Sequence, residues 1–267
     1  MDTAAYRVRP DEPVDLSARP TRDDGGLSRD QGREQFRKLT RRLQALQEVM
    51  YAQNRHSLLV VLQAMDAGGK DSTLRNVFGP VNPQGCHVSS FKAPSTLERS
   101  HDFLWRIHQQ VPPRGHIGVF NRSHYEDVLI VRVKDLAPKS VWQKRFDHIN
   151  HFEKMIADEG VSVVKFYLHI SKAYQQKRLQ RRLDRPDKHW KFNPDDLAER
   201  ARWAEYMHAF EDALSKCSQP HAPWYVVPAE RRWFRNLLVA QVVVDTLEAL
   251  NMKLPEPTFD PATIRIE

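Results

Sequence analysis

The stretch LLVVLQAMDAGGKDSTL, residues 58–74, constrains this chain more than any other. Residues 58–63 form a nearly unbroken apolar run. A short run of this kind, closed by glycines, predicts a strand buried on both faces, as in a parallel sheet covered by helices. Gly68 and Gly69 let the backbone turn sharply and approach a ligand. A helix is expected to start at Lys70. Inward-facing amides, a helix N-terminus and a lysine together make an anion site. The usual phosphate-loop pattern is G-x-x-x-x-G-K-[ST]. This stretch departs from it at both ends, with Ala64 for the first glycine and Asp71 in the Ser/Thr slot, yet keeps its register. Ala67, Gly68, Gly69, Lys70, Asp71 and Ser72 are therefore read as a phosphate-binding segment.

The same alternation continues along the chain. Residues 87–91, 117–120, 161–170 and 224–227 read as further strands. Helices are expected over residues 28–53, from Gly69, over 95–110 and 138–159, from Ser171, and over 193–216 and 230–250. This order implies an α/β fold with a parallel sheet and helices on both faces. Residues 1–27 are rich in proline and charge and read as an extended arm packed on a neighbour. Residues 28–267 read as one domain.

The balance is 41 Lys+Arg against 34 Asp+Glu, a net charge of +7. That favours an anionic partner without choosing among nucleotide, polyphosphate, nucleic acid and an anionic membrane. No apolar stretch approaches the roughly 18 residues needed to span a bilayer, and the first thirty residues contain no apolar signal core. A soluble cytoplasmic protein is expected. Cys86 and Cys217 form no close-spaced motif and read as reduced thiols.

Asp66 and Asp71 would repel phosphate unless a metal intervenes. Asp66 is read as a catalytic residue or Mg2+ ligand. Asp71 is read either as a metal ligand or as a carboxylate complementing the helix N-terminus. A second motif, IGVFNRSHYEDV, places Asn121, Arg122, Glu126 and Asp127 after a strand. Phosphate-loop sites usually carry a metal-binding acid here; the residue present is the neutral Asn121. Arg122 either faces phosphate, which suits its two-pronged guanidinium, or closes the turn by pairing with a glutamate. Residues 177–191 read KRLQRRLDRPDKHWK. Arg178, Arg181, Arg182 and Arg185 share one helical face. They form either a solvated surface or a lid over about residues 177–193 that closes on phosphates with Lys188. Trp190 in that segment is a candidate contact for a base. His148 and His151 share a helix face, but no partner completes a zinc spacing.

The pair MDAGGKD and FNRSHYED, about fifty residues apart, resembles polyphosphate kinase family 2. Its common pattern is G-x-D-x-x-G-K followed by D-R-S-W-Y-N, and the likeness runs from about residue 35 to 250. Glutamate after the tyrosine resembles the third subclass, which phosphorylates both nucleoside mono- and diphosphates from polyphosphate. Ala64, Asn121 and Glu126 depart from the common pattern, leaving Asp127 or Glu126 to replace the missing metal ligand. The resemblance implies a P-loop kinase-like α/β/α fold with an arginine-rich helical lid. It also implies transfer from inorganic polyphosphate to ADP or AMP, with guanine nucleotides as further acceptors. The implied ion is Mg2+, with Mn2+ as the second choice, held by Asp66 and Asp127. Lys70, Arg122, Arg178 and Arg182 would act on the phosphates, in a homodimer or homotetramer. Two other readings stay open: an ATP-dependent nucleoside monophosphate kinase, and a nucleic-acid-binding module using the arginine face.

Overall fold

Five parallel strands form the centre of the protein in the order β2-β3-β1-β4-β5, in a computed structural model that describes residues 1–266. They are β1 Ser57–Gln63, β2 Cys86–Ser90, β3 Ile117–Asn121, β4 Val161–His169 and β5 Trp224–Pro228. All of β1 is buried, which is why its sequence lacks polar alternation. Leu59 and Val61 join one core with Phe120, Val163 and Tyr167. Leu58, Val60 and Leu62 join the other with Val119, Val164 and Phe166. The helices Arg145–Asp158 and Trp203–Lys216 cover the first face. The helices Arg29–Gln53 and Arg232–Ala249 cover the second, packed on each other. Ser28 and Gln31 close a capping box at the start of the Arg29–Gln53 helix, satisfying amides that have no partner within the helix.

The register determines what the sheet delivers to its carboxyl edge. Leu62 of β1 aligns with Asn121 of β3 and with Phe166 of β4. The chain therefore leaves β1 and β3 side by side, and MDAGGK meets NRSHYED.

Three expected helices are interrupted. Residues 95–110 hold two short helices, Thr96–Arg99 and Trp105–His108. Between them the Ser100 hydroxyl donates to Leu97 O and the Asp102 carboxylate accepts from Leu104 N; such local bonds compete with helix continuation. Residues 138–159 divide into Lys139–Trp142 and Arg145–Asp158. Residues 193–216 divide at Arg202, where φ −88° and ψ 25° leave the helical region. After Gly69 a single α-turn, Lys70–Thr73, passes into a π-turn, Leu74–Phe78.

The N-terminal arm packs on its own chain. Arg7 bridges Tyr225 in antiparallel sense, and Val8 N donates to Trp224 O at 2.9 Å. The arm thus covers the outer edge of β5, which would otherwise present unpaired backbone groups. Val8 and Leu16 are buried, and Leu16 O accepts from His169 Nε2 at 3.1 Å. Leu16→Ala should lower the unfolding free energy by about 2–3 kcal/mol, read from the urea midpoint. Unchanged stability would show that the arm adds nothing to the core.

Candidate active site

The loop after β1 is shaped by close approaches. Ala67 and Gly69 have φ of +62° and +107°. A Cβ on Gly68 would stand 2.6 Å from Ala64 Cβ, and one on Gly69 would stand 2.0 Å from Arg235 Nη1. Neither position accepts a side chain. Ala67 has a Cβ and bears a left-handed backbone, at a cost of about 1–2 kcal/mol, the kind of strain that collects at ligand clamps. Ala64 needs no left-handed angle, so alanine suffices there. Its carbonyl accepts from Lys70 Nζ at 2.9 Å. Burial pulls the Lys70 ammonium below its ordinary pKa, against the attraction of Asp66.

The second motif is bonded to the first at several points. Arg122 also has a left-handed backbone, φ +61°, and its amide donates to Leu62 O at 3.1 Å. Arg122 Nη2 donates to Asp66 Oδ1 at 3.0 Å, and Asn121 Nδ2 donates to Asp71 Oδ1 at 3.1 Å. An aspartate at position 121 would set two carboxylates against each other; the amide instead holds Asp71 in place. Gln63 Nε2 donates to the Ser123 hydroxyl at 3.1 Å.

Beneath this turn lies a buried polar network that the sequence reading missed. Lys165 Nζ donates to Tyr125 Oη at 2.7 Å, to Cys217 O at 2.7 Å and to Glu153. Tyr125 Oη donates to Glu153 Oε1 at 2.9 Å, and His124 Nε2 lies 3.1 Å from the same oxygen. All four side chains are inaccessible to solvent. Burial holds His124 below its ordinary pKa, in the neutral form. The network anchors the residues between Arg122 and Glu126. A lysine inside the apolar run VSVVKFYLH was the signal that could have revealed it.

The helix Lys172–Leu183 and the 3-10 turn Pro186–Lys191 rise over the loop. Together they enclose a cleft of about 730 Å³. Asp66, Ala67, Gly68, Gly69, Lys70, Asp71 and Ser72 line it, with Asn121 and Arg122 on one side and Arg178, Arg182 and Lys188 on the other. Arg75, Lys92 and Arg232 also line it and were not foreseen. Eleven Lys and Arg face this cleft against two Asp, a surplus that exceeds the +7 of the whole chain. The rest of the protein is therefore slightly acidic. Burial, with crowding by Arg232, Arg181 and Arg182, pulls Arg178 below its ordinary pKa. Arg182 donates to Asp196 Oδ2 at 3.1 Å, a carboxylate the sequence reading did not single out. Burial, then Asp66, pushes Asp196 up. Trp190 stands at the rim, 76% exposed.

Two expected site residues do not line the cleft. Glu126 acts on Lys70 and Arg122 only through its charge. Asp127 accepts from Arg145 Nη1 at 2.8 Å, and burial outweighs that partner, pushing its carboxyl up to about 6. Its Oδ1 is held by Arg145, and it lies outside the cleft lined by Asp66. Among the described residues no three His, Cys, Asp or Glu converge as a metal cage. Asp66 has one oxygen engaged by Arg122, and Asp71 is exposed. That donor set suits Mg2+, which commonly takes one or two carboxylates and completes its shell with water and substrate phosphates.

A glycine–lysine loop after the central strand of a parallel sheet, under an arginine-lined helix, defines a phosphate-loop α/β protein that handles polyanions. Comparison with known proteins is more specific. The family described as Polyphosphate kinase 2 matches residues 26–255, and the chain belongs to this family. It is 52% identical over 264 residues to the AMP/ADP-polyphosphate phosphotransferase of Meiothermus ruber, covering 98% of this chain and 99% of that protein. It is 46% identical to the ADP-polyphosphate phosphotransferase of Rhodopseudomonas palustris, covering 97% and 94%. The crystal structure of polyphosphate kinase 2 from Arthrobacter aurescens superposes with a TM-score of 0.93 at 42% identity, over 97% of this chain and 93% of that one.

Asp127 gives a pH test of its placement. Its folded pKa, about 6, lies above the unfolded value near 3.9. Its contribution to stability is therefore present below pH 4 and lost as pH rises through 6. Asp127→Asn lacks that loss, so its melting temperature should gain on the wild type between pH 4.5 and 7.5. A gap that stays fixed would mean Arg145 cancels the burial.

Proposed function

We propose that the protein is a Mg2+-dependent polyphosphate:nucleotide phosphotransferase, moving the terminal phosphoryl group of inorganic polyphosphate to ADP or AMP, reversibly. The observation that carries this reading is the concentration of the chain's positive charge in one cleft, centred on the glycine–lysine loop. A nucleic-acid-binding surface would spread its cations along an open face and would not need a loop closed to side chains at Gly68 and Gly69. An ATP-dependent monophosphate kinase shares the loop, but the names of the relatives speak for polyphosphate as donor.

The chemistry asks for positioning and charge neutralisation. A terminal oxygen of the acceptor phosphate attacks the terminal phosphorus of polyphosphate. The bridging P–O bond breaks, and the shortened chain leaves as an anion. The acceptor phosphate has a second pKa near 6 and is already ionised at neutral pH, so no proton needs removing. Lys70, the loop amides of residues 67–70 and Arg122 hold phosphates at the transfer point. Arg178 and Arg182 neutralise charge from above. Asp66 orients Arg122 and, with Asp71 and phosphate oxygens, would hold the divalent ion, which spreads the charge of the transferring group. Residues 28–267 act as one unit with the lid at about 177–193, in a homodimer or homotetramer. Among the described residues no helix is long and apolar enough to cross a membrane, and a cytoplasmic location accords with a phosphorylated substrate pair.

The test is a coupled assay with polyphosphate, Mg2+ and either AMP or ADP, repeated with ATP as donor. Turnover only with ATP would remove polyphosphate from the reaction. Lys70→Ala should reduce transfer at least about a hundredfold with an unchanged melt; wild-type turnover would take the loop out of the site. Glu126 acts on Lys70 and Arg122 through its charge. Glu126→Asn should shift the AMP-to-ADP ratio of kcat/KM, and an equal ratio would exclude Glu126 from acceptor choice.

A further inference from the structure

Arg235 is a buried cation that neither the cleft nor the ion pairs absorb. It sits in the first turn of the helix Arg232–Ala249, only 2% exposed. Among the described residues no carboxylate pairs with it. Its guanidinium donates instead to neutral oxygens: to Ser72 Oγ at 3.0 Å and to Asn236 Oδ1 at 3.1 Å from Nε and 2.9 Å from Nη2. Nη1 occupies the space where a side chain on Gly69 would begin. The group therefore presses on the loop from beneath while phosphate is expected above. Removing a guanidinium from water without a counter-charge is costly. Burial pulls it down to about 10, and the nearby Arg232 and Arg178 add repulsion. A core position that asked only for packing would be served better by methionine or leucine. The chain instead keeps a charge whose missing partner lies on the far side of Gly69.

We propose that Arg235 is a positioning residue for the phosphate loop: it fixes Gly69 and Ser72 from below and supplies buried positive charge that bound donor phosphate neutralises through the loop. This rests on the phosphotransferase reading, because it takes the anion above the loop to be the donor. It makes anion binding and stability interdependent. The empty protein holds an uncompensated charge, and the occupied protein does not.

The test uses inorganic tripolyphosphate as probe, with the full chain and two variants, Arg235→Met and Arg235→Lys. Tripolyphosphate affinity is measured by calorimetry, melting temperature with and without the probe, and KM for polyphosphate and for ADP separately. In Arg235→Met the probe-free melting temperature should hold or rise, since an unpaired charge is gone. Its tripolyphosphate Kd should weaken about tenfold or more, about 1.4 kcal/mol. KM for polyphosphate should rise while KM for ADP changes little. Arg235→Lys keeps the charge without the fork and should recover part of the affinity. A lower probe-free melting temperature with unchanged Kd would make Arg235 a packing residue and overturn the proposal. If Arg235→Met is both less stable and weaker in binding, Arg235→Lys decides: recovered affinity supports the proposal, and none overturns it. Tight binding by wild type and Arg235→Met alike sinks this inference alone. No binding by the wild type sinks the loop reading with it.

Discussion

Eleven cations along one edge of a sheet repel one another, and the fold has to hold them there until phosphate arrives. The buried centre of the sheet makes this feasible. With β1 enclosed on both faces, β3 and β4 align on it residue by residue, and loops leaving such strands cannot drift apart to relieve repulsion. Several of the cations around the loop are also restrained by oxygens of the protein: Lys70 by Ala64 O, Arg122 by Asp66, Arg182 by Lys191 O and Asp196, and Arg235 by Ser72 and Asn236. Lys70 and Arg235 have only neutral partners. A phosphate oxygen, fully charged, competes well against a carbonyl or a hydroxyl. The empty site is thereby ordered without being self-satisfied.

The departures from the usual phosphate-loop pattern belong together. Glycine is required where a Cβ would collide with its surroundings, which is true at Gly68 and Gly69, whereas position 64 carries its Cβ without a left-handed angle. The acid missing at Asn121 reappears next to the loop lysine as Asp71, and the two are joined by a hydrogen bond. The carboxylate at this gap is thus supplied from the loop side, by Asp71, and not by position 121. Asp127, which sequence order suggested as the substitute, is engaged by Arg145 from the helix Arg145–Asp158. No feature of FNRSHYED itself announces that partner.

What the sequence made legible follows from range. The apolar runs at residues 58–63 and 161–170 mark β1 and β4 because burial on both faces leaves its imprint locally. The glycine–lysine loop and the arginine face are likewise local patterns, and both arrive at the cleft. Arg232 and Arg235 read as ordinary charges at the start of a helix, since only the tertiary crossing of that helix under the loop gives them a role. The arm's own-chain contacts were not legible for a related reason. Its prolines and charges suggest an extended segment, yet Val8 is buried beside β5, and Val14 and Leu16 are buried with their amides bonded to Ser215 and Glu211 of the helix Trp203–Lys216. The helix at residues 95–110 breaks where a side chain bonds the nearby backbone, as at Asp102, which apolar periodicity does not register.

The cleft holds two carboxylates, both engaged: Asp66 by Arg122 and Asp71 by Asn121. No histidine lines it. His124 and His169 are both buried elsewhere and kept neutral by burial. Glu153, which could have served as a base, is locked to Lys165, Tyr125 and His124 beneath the turn. A hydroxyl acceptor would need a proton removed and a group aimed at it. An acceptor already carrying an ionised phosphate needs neither, and what limits reaction is the repulsion between two polyanions brought to contact. The surplus of cations around the loop offsets that repulsion at the place where the two chains of phosphate meet. Polymer, nucleotide and cleft are matched in charge, and the chemical step can be left to the phosphates themselves.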